Sequence, residues 1–322
     1  MESNKNRVFI VIEEHMQERY THLINKYGYK NFCLKDFQGL NLGASFSHVF
    51  KRIYYREILN KEYNKLRFWI EKVNTEVNIE VVYLSNSEGY IAHNIARRLR
   101  YDFPEITLIA LQHGIFDMSR IPKRFSRLLI NKFCWFFFKI CPLGVGFGGK
   151  IVDQYIVYNE AYKDFLMTEY KWKDHEVKVD LSFLKSELFE KKVTSKKEDD
   201  TAIFLLQCLA KAKLCSAEQE HYLNTKTLTY LSKKYTKVLI KEHPAATENH
   251  RVELMQNCEY IDNLIEGFNR SSFAYSYSST ALLDAEIFDI ETFAIKSEKL
   301  KWSKDIYKLF KNTINFENEI DI

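Results

Sequence analysis

Short aliphatic runs, each followed by a stretch of helical periodicity, recur along this chain. That alternation constrains its fold more than any other feature. Residues 8–12 (VFIVI), 79–84 (IEVVYL), 106–111 (ITLIAL) and 153–158 (DQYIVY) have the length and β-branched content of buried strands. Helical patterns follow at 90–100 and 160–170. A charged stretch without apolar periodicity, EKKVTSKKEDD at 190–200, then reads as a solvated linker. After it the rhythm restarts, with strands at 202–207 (AIFLLQ), 237–242 (KVLIKE), 273–277 and 292–295, and helices at 217–235 and 280–286. Strands alternating with helices predict an α/β fold with parallel sheets and helices on both faces. The expected architecture is two Rossmann-like doubly wound domains facing a cleft.

At 322 residues the chain exceeds one typical core. We expect an N-terminal domain over 1–190, a C-terminal domain over 201–300, and a tail over 301–322 that packs back on the N-terminal domain. Six cysteines without a CxxC pair predict reduced, packed thiols in a cytoplasmic protein and no zinc site. The first residues, MESNKNRVFIVIEEH, read as a core strand rather than a signal peptide. No run of 18 uncharged apolar residues predicts a membrane span. A net charge of +4 gives no reason to expect nucleic acid as a partner.

In doubly wound sheets, ligands bind beyond the carboxyl ends of the strands. Three polar motifs stand there. Gln112-His113-Gly114 follows the 106–111 run; the glycine permits close ligand approach and the imidazole suits a general base. The competing reading is a capping or packed histidine. Lys241-Glu242-His243-Pro244 follows 237–242, with the proline fixing the loop that carries His243; an ordinary strand-to-helix turn would look the same. Ser276, Ser278, Ser279 and Thr280 lie between a strand and a helix, where free N–H groups and the helix dipole favour an anion. Plain N-capping would need only one of these hydroxyls.

One tempting motif fails. LGVGFGGKI (143–151) has Gly144 and Gly149-Lys150 at phosphate-loop spacing, but Ile151 stands where magnesium would need Ser or Thr. The segment before it is more informative. From 118 to 150 there is no Asp or Glu, while Arg120, Lys123, Arg124, Arg127, Lys132, Lys139 and Lys150 interleave with Phe125, Phe133, Trp135, Phe136, Phe137, Phe138 and Phe147. This chemistry fits an interfacial segment resting on anionic lipid headgroups. The alternatives are a core helix with snorkelling lysines and, third, a nucleic-acid-binding segment that uses the same chemistry.

Taken in order, these motifs resemble those of bacterial surface-polysaccharide transferases of the GT-B fold. Those include capsular sialyl- and polysialyltransferases and CDP-glycerol glycerophosphotransferases. The resemblance runs from about residue 79 to 296. It rests on the strand ending Gln112-His113-Gly114, the D-x-Y-I-V strand, the His243-Pro244 pair and the Ser278-Ser279 pair. It implies an inverting, metal-independent glycosyltransferase that needs no cofactor. The enzyme would move a sugar of sialic-acid or Kdo type from a CMP-linked donor to a bacterial surface glycan, lipid-linked or free. Gln112, Gly114, Lys241, His243, Pro244, Ser278, Ser279 and Thr280 would hold the donor. His113 stands where sialyltransferases carry an acidic D/E-D/E-G motif, so His113 or Glu88 is the expected base, with Asp117 third. The protein would sit peripherally on the inner face of the cytoplasmic membrane, through 118–150. The rival expectations are a CDP-polyol phosphotransferase of the same fold, a sugar-nucleotide epimerase or hydrolase, and a non-catalytic capsule assembly protein.

Overall fold

The computed structural model describes residues 6–12, 17–34, 49–87, 90–112, 125–143, 151–193, 197–198, 200–243, 252–301 and 304–321. They form two compact units that divide after Ser186. The first unit carries β1 (Arg7–Val11), α1 (Gln17–Tyr27), β2 (Lys30–Cys33), α2 (Val49–Tyr54), α3 (Arg56–Val77), β3 (Val81–Leu84), α4 (Tyr90–Asp102), β4 (Thr107–Leu111), α5 (Phe125–Phe138), β5 (Gln154–Val157), α6 (Glu160–Tyr170), β6 (Val177–Val179) and α7 (Leu181–Leu184). After the short α8 (Ser186–Lys191) at the division, the second carries β7 (Thr201–Leu205), α9 (Ala217–Lys234), β8 (Lys237–Lys241), β9 (Cys258–Ile261), α10 (Leu264–Arg270), β10 (Phe273–Ser276), α11 (Thr280–Ile287), β11 (Glu291–Lys296) and β12 (Asn312–Asn315).

Each unit is built on a six-stranded sheet, in the order β2-β1-β3-β4-β5-β6 and β12-β11-β10-β7-β8-β9. Every strand pairing in both is parallel. The sequence predicts this because parallel strands covered on both faces need unbroken apolar runs. β7 meets that condition at all five positions, each buried. The helices are set by local chemistry. Ser216 caps α9 in a reciprocal box with Gln219, and Lys233 and Lys234 in its last turn complement the dipole. Asn159 caps α6 by accepting the Tyr162 N–H. The 22-residue α3 lays Leu59, Tyr63, Leu66, Ile70 and Val73 along one face.

Two features of the organisation go beyond what the sequence pattern announces. The segment after 190 is more than a loose tether. The Val193 N–H donates to Asn269 Oδ1 at 3.0 Å, and the Glu198 carboxylate accepts Arg270 Nε at 2.8 Å. These contacts lash it to α10. The tail completes the second sheet. β12 pairs with β11, and Ile314, Phe316 and Ile320 join the core shared by β7, α9 and β10. The reason is burial: β11 would otherwise leave its outer edge unpaired, and the apolar residues after it cover the α9 face.

Phe316 is fully buried. Phe316→Ala should therefore cost about 3–5 kcal/mol. Chemical denaturation should show that loss, and a loss below 1 kcal/mol would mean that the tail is not part of this core.

Candidate functional site

The order of the second sheet reverses at β7. β8 and β9 lie on one side and β10, β11 and β12 on the other. This is the topological switch point, where doubly wound sheets open a crevice for a ligand. The carboxyl ends of β7, β8 and β10 converge there, and two of the three polar motifs are among them.

Ser276 ends β10 and is fully buried, its Oγ donating to the Leu205 carbonyl at 2.8 Å. Gln207, just past the end of β7, accepts the Ser278 N–H on Oε1 at 2.8 Å, and the same oxygen lies 3.3 Å from Ser276 Oγ. Ser279 is the N-cap of α11, its Oγ accepting the Ala281 N–H at 3.2 Å, and Thr280 opens the helix. The capping role accounts for Ser279 alone. Ser278 is different. It is only 4% exposed, yet its hydroxyl has no hydrogen-bond partner among the described residues. A buried hydroxyl left open at a helix start, whose first turn holds no acidic residue, is an arrangement that suits an anionic ligand.

Across β7, Lys241 ends β8 and donates from Nζ to the Glu242 carbonyl at 3.0 Å. His243 follows, its ring reaching solvent. Partial desolvation, then the charges of Lys211 and Lys241, lower its pKa from the ordinary histidine value. Lys211, in the loop after β7, is a member of this basic group that sequence reasoning missed. Nothing in its local pattern marks it; β7 lying beside β8 brings it there. The serine turn and the lysine–histidine end are two strand spacings apart, about 10 Å.

In the first sheet the reversal falls between β1 and β3. There the Ser85 hydroxyl accepts the Ile12 N–H at 3.0 Å, and Ser87 Oγ pairs with Tyr155 OH at 2.6 Å. Gln112, expected among the donor-binding residues, stands just past the end of β4. It is fully buried and its Oε1 accepts the Tyr158 N–H at 2.9 Å, so its side chain ties the end of β4 to the end of β5. His113, Gly114, Glu88, Asp117 and Pro244 lie outside the described residues.

Within the basic–aromatic stretch, Phe125–Phe138 form α5. Its buried side is narrow. Asn131 holds Leu143 through both its amide atoms, at 2.7 and 2.9 Å, and Cys134 is buried beside it. Its other side is aromatic and open: Phe136 is 74% exposed, Phe133 and Phe137 each 60%. Arg97 stacks 4.6 Å over Trp135 and Lys139 lies 5.4 Å over Tyr101, itself 67% exposed. A core helix with snorkelling lysines would show the opposite exposure. Among the described residues no helix is long and apolar enough to cross a membrane. The six cysteines are all free.

A family model described as alpha-2,8-polysialyltransferase matches residues 1–291. No curated protein matches the sequence. Among solved structures, an alpha/beta-galactoside alpha-2,3-sialyltransferase from Photobacterium phosphoreum is similar at a TM-score of 0.52 and 12% identity, over 97% of this chain and 99% of that one. The glycotransferase of kitacinnamycin is similar at 0.56 and 8% identity, over 97% and 87% of the two chains. The calicheamicin glycosyltransferase is similar at 0.55 and 7% identity, over 98% and 87%. These likenesses show the fold, GT-B with its two Rossmann-like domains.

The lowered pKa of His243 gives a prediction whose sign is fixed. Above the ordinary value near 6.5 the ring is neutral. An anion beside it favours the proton, so binding takes up a proton as pH falls below that value. Sulfate, which does not titrate in this range, should bind more tightly at pH 6 than at pH 7.5, and His243→Asn should flatten the difference. Calorimetry in two buffers of different ionisation enthalpy reads the proton uptake.

Proposed function

The chain belongs to the alpha-2,8-polysialyltransferase family and is a sialyltransferase-like glycosyltransferase, and we propose that it transfers a sugar of sialic-acid or Kdo type from a CMP-linked donor to a bacterial surface glycan, with inversion and without a metal. The observation that carries this reading is the open, buried hydroxyl of Ser278 at the start of α11. Charge grows on the phosphate as the glycosidic C–O bond breaks. Donors fixed in advance where charge develops are the largest expected catalytic contribution. Ser278 Oγ, Thr280 at the first turn of α11, and the Lys211–Lys241–His243 group supply them, so the chemistry calls for no cation.

In this reaction the acceptor hydroxyl oxygen attacks the anomeric carbon. CMP leaves with the bonding electron pair, and the hydroxyl proton passes to His113 or Glu88. One displacement inverts the anomeric centre. The base is assigned by motif position, since both candidates follow strand ends of the first sheet.

The surface of α5 supports the second half of the proposal. Phe133, Phe136 and Phe137 together with Lys132, Lys139 and the nearby Arg97 match an anionic bilayer. The acceptor, a growing glycan on a lipid carrier at the inner face of the cytoplasmic membrane, would be presented there.

Three measurements check the proposal. In a thermal-shift panel of CMP, CDP, UDP and GDP, CMP should stabilise most, by about 2.7 kcal/mol at a hundred times its Kd; a preference for UDP or GDP overturns the donor class. Ser278→Ala should lower kcat by about 100-fold with the fold intact. Vesicles with anionic lipid should float the protein, and Phe136→Glu with Phe137→Glu should release it.

A further inference from the structure

Gln207 has no part in the donor contacts proposed so far, yet it joins the end of β7 to the serine turn. Its Oε1 takes the Ser278 N–H at 2.8 Å, next to the Ser276 hydroxyl that is itself committed to Leu205. The Ser278 N–H is thereby consumed inside the protein. What the turn has left to offer a ligand is the Ser278 hydroxyl, which is buried and has no partner among the described residues. A backbone amide fixed by a hydrogen bond of normal length fixes the Cα–Cβ vector of its own residue, and with it the arc on which Oγ can sit.

We propose that Gln207 is a positioning residue for the transfer reaction, holding the Ser278 hydroxyl toward the leaving phosphate; the inference rests on the anion-site reading of Ser278. The choice of side chain follows from charge. The residue must accept an N–H next to a bound dianion. A glutamate would accept as well but would repel the phosphate. An asparagine offers the same acceptor on a side chain one carbon shorter. A neutral amide accepts the N–H and adds two donors of its own on the same group. Alanine would leave the Ser278 N–H unpaired in a nearly buried turn, which the turn would relieve by moving. A displacement of about 1 Å in a positioned group can cost about 100-fold in rate.

The experiment compares four full-length variants, Gln207→Ala, Gln207→Glu, Ser278→Ala and the double variant Gln207→Ala with Ser278→Ala. CMP affinity is read by calorimetry and folding by thermal denaturation. Ser278→Ala and Gln207→Ala should each weaken CMP binding about tenfold or more, and the double variant should be no weaker than Ser278→Ala alone, because Gln207 acts through that hydroxyl. Gln207→Glu should keep the wild-type Tm while losing CMP affinity, more so at low salt. A purely structural glutamine predicts the reverse: Gln207→Glu binding CMP as wild type does, or the two single losses multiplying in the double variant. Either result overturns the positioning role. If wild-type protein binds no CMP, or Ser278→Ala binds it unchanged, the anion-site reading falls and the positioning role with it. If Ser278→Ala weakens binding and Gln207→Ala does not, only the positioning role falls.

Discussion

The pairing of β10 with β7 is the contact on which the rest of the second unit depends. It sets side by side two strand ends some seventy residues apart in sequence, and it does so at the one place where strand order reverses. An order that separated β10 from β7 would leave Ser276 and Ser278 next to a strand with no Gln207 at its end. It would also move the lysine–histidine end of β8 away from the serine turn. The pairing is maintained by fully buried residues, Ala202, Ile203 and Phe204 against Ala274 and Tyr275. Apolar packing thus holds the polar edge in register: the strands are rigid because they are dry, and the ligand groups are precise because they leave rigid strands within two residues.

The central strands were legible because burial on both faces demands apolar runs, and such runs stand out. The edge strands were not. β2 (KNFC), β6 (VKV), β9 (CEYI) and β12 (NTIN) are three or four residues long and partly polar. An edge strand needs only one neighbour and tolerates solvent, so it leaves little pattern to read. The long α3 carries a clear helical stripe and could have been read from Leu59, Tyr63, Leu66 and Ile70 alone.

The candidate site divides in the same way. The serine turn and the lysine–histidine end were visible because their residue types carry chemistry in themselves. Gln207 and Lys211 were not, because an isolated glutamine or lysine in a loop has no signature; strand order gives them one. Gln112 has a structural task that its motif does not announce. Its place beside a histidine and a glycine suggested a ligand contact, while its burial between β4 and β5 gives it the same kind of work that Gln207 does in the other sheet, an amide joining two strand ends. Sequence adjacency to a motif is weaker guidance than the position of a strand within its sheet.

The place of β12 bears on how the chain becomes a folded protein. The first sheet has all its strands once residue 179 has been made. The second cannot close its outer edge until residues 312–315 have left the ribosome, nor cover α9 until Phe316 and Ile320 follow. Until then β11 is an open parallel edge, with the apolar residues of its future neighbour still unmade. Of the two sheets, the one that carries the serine turn therefore completes its strands later during synthesis.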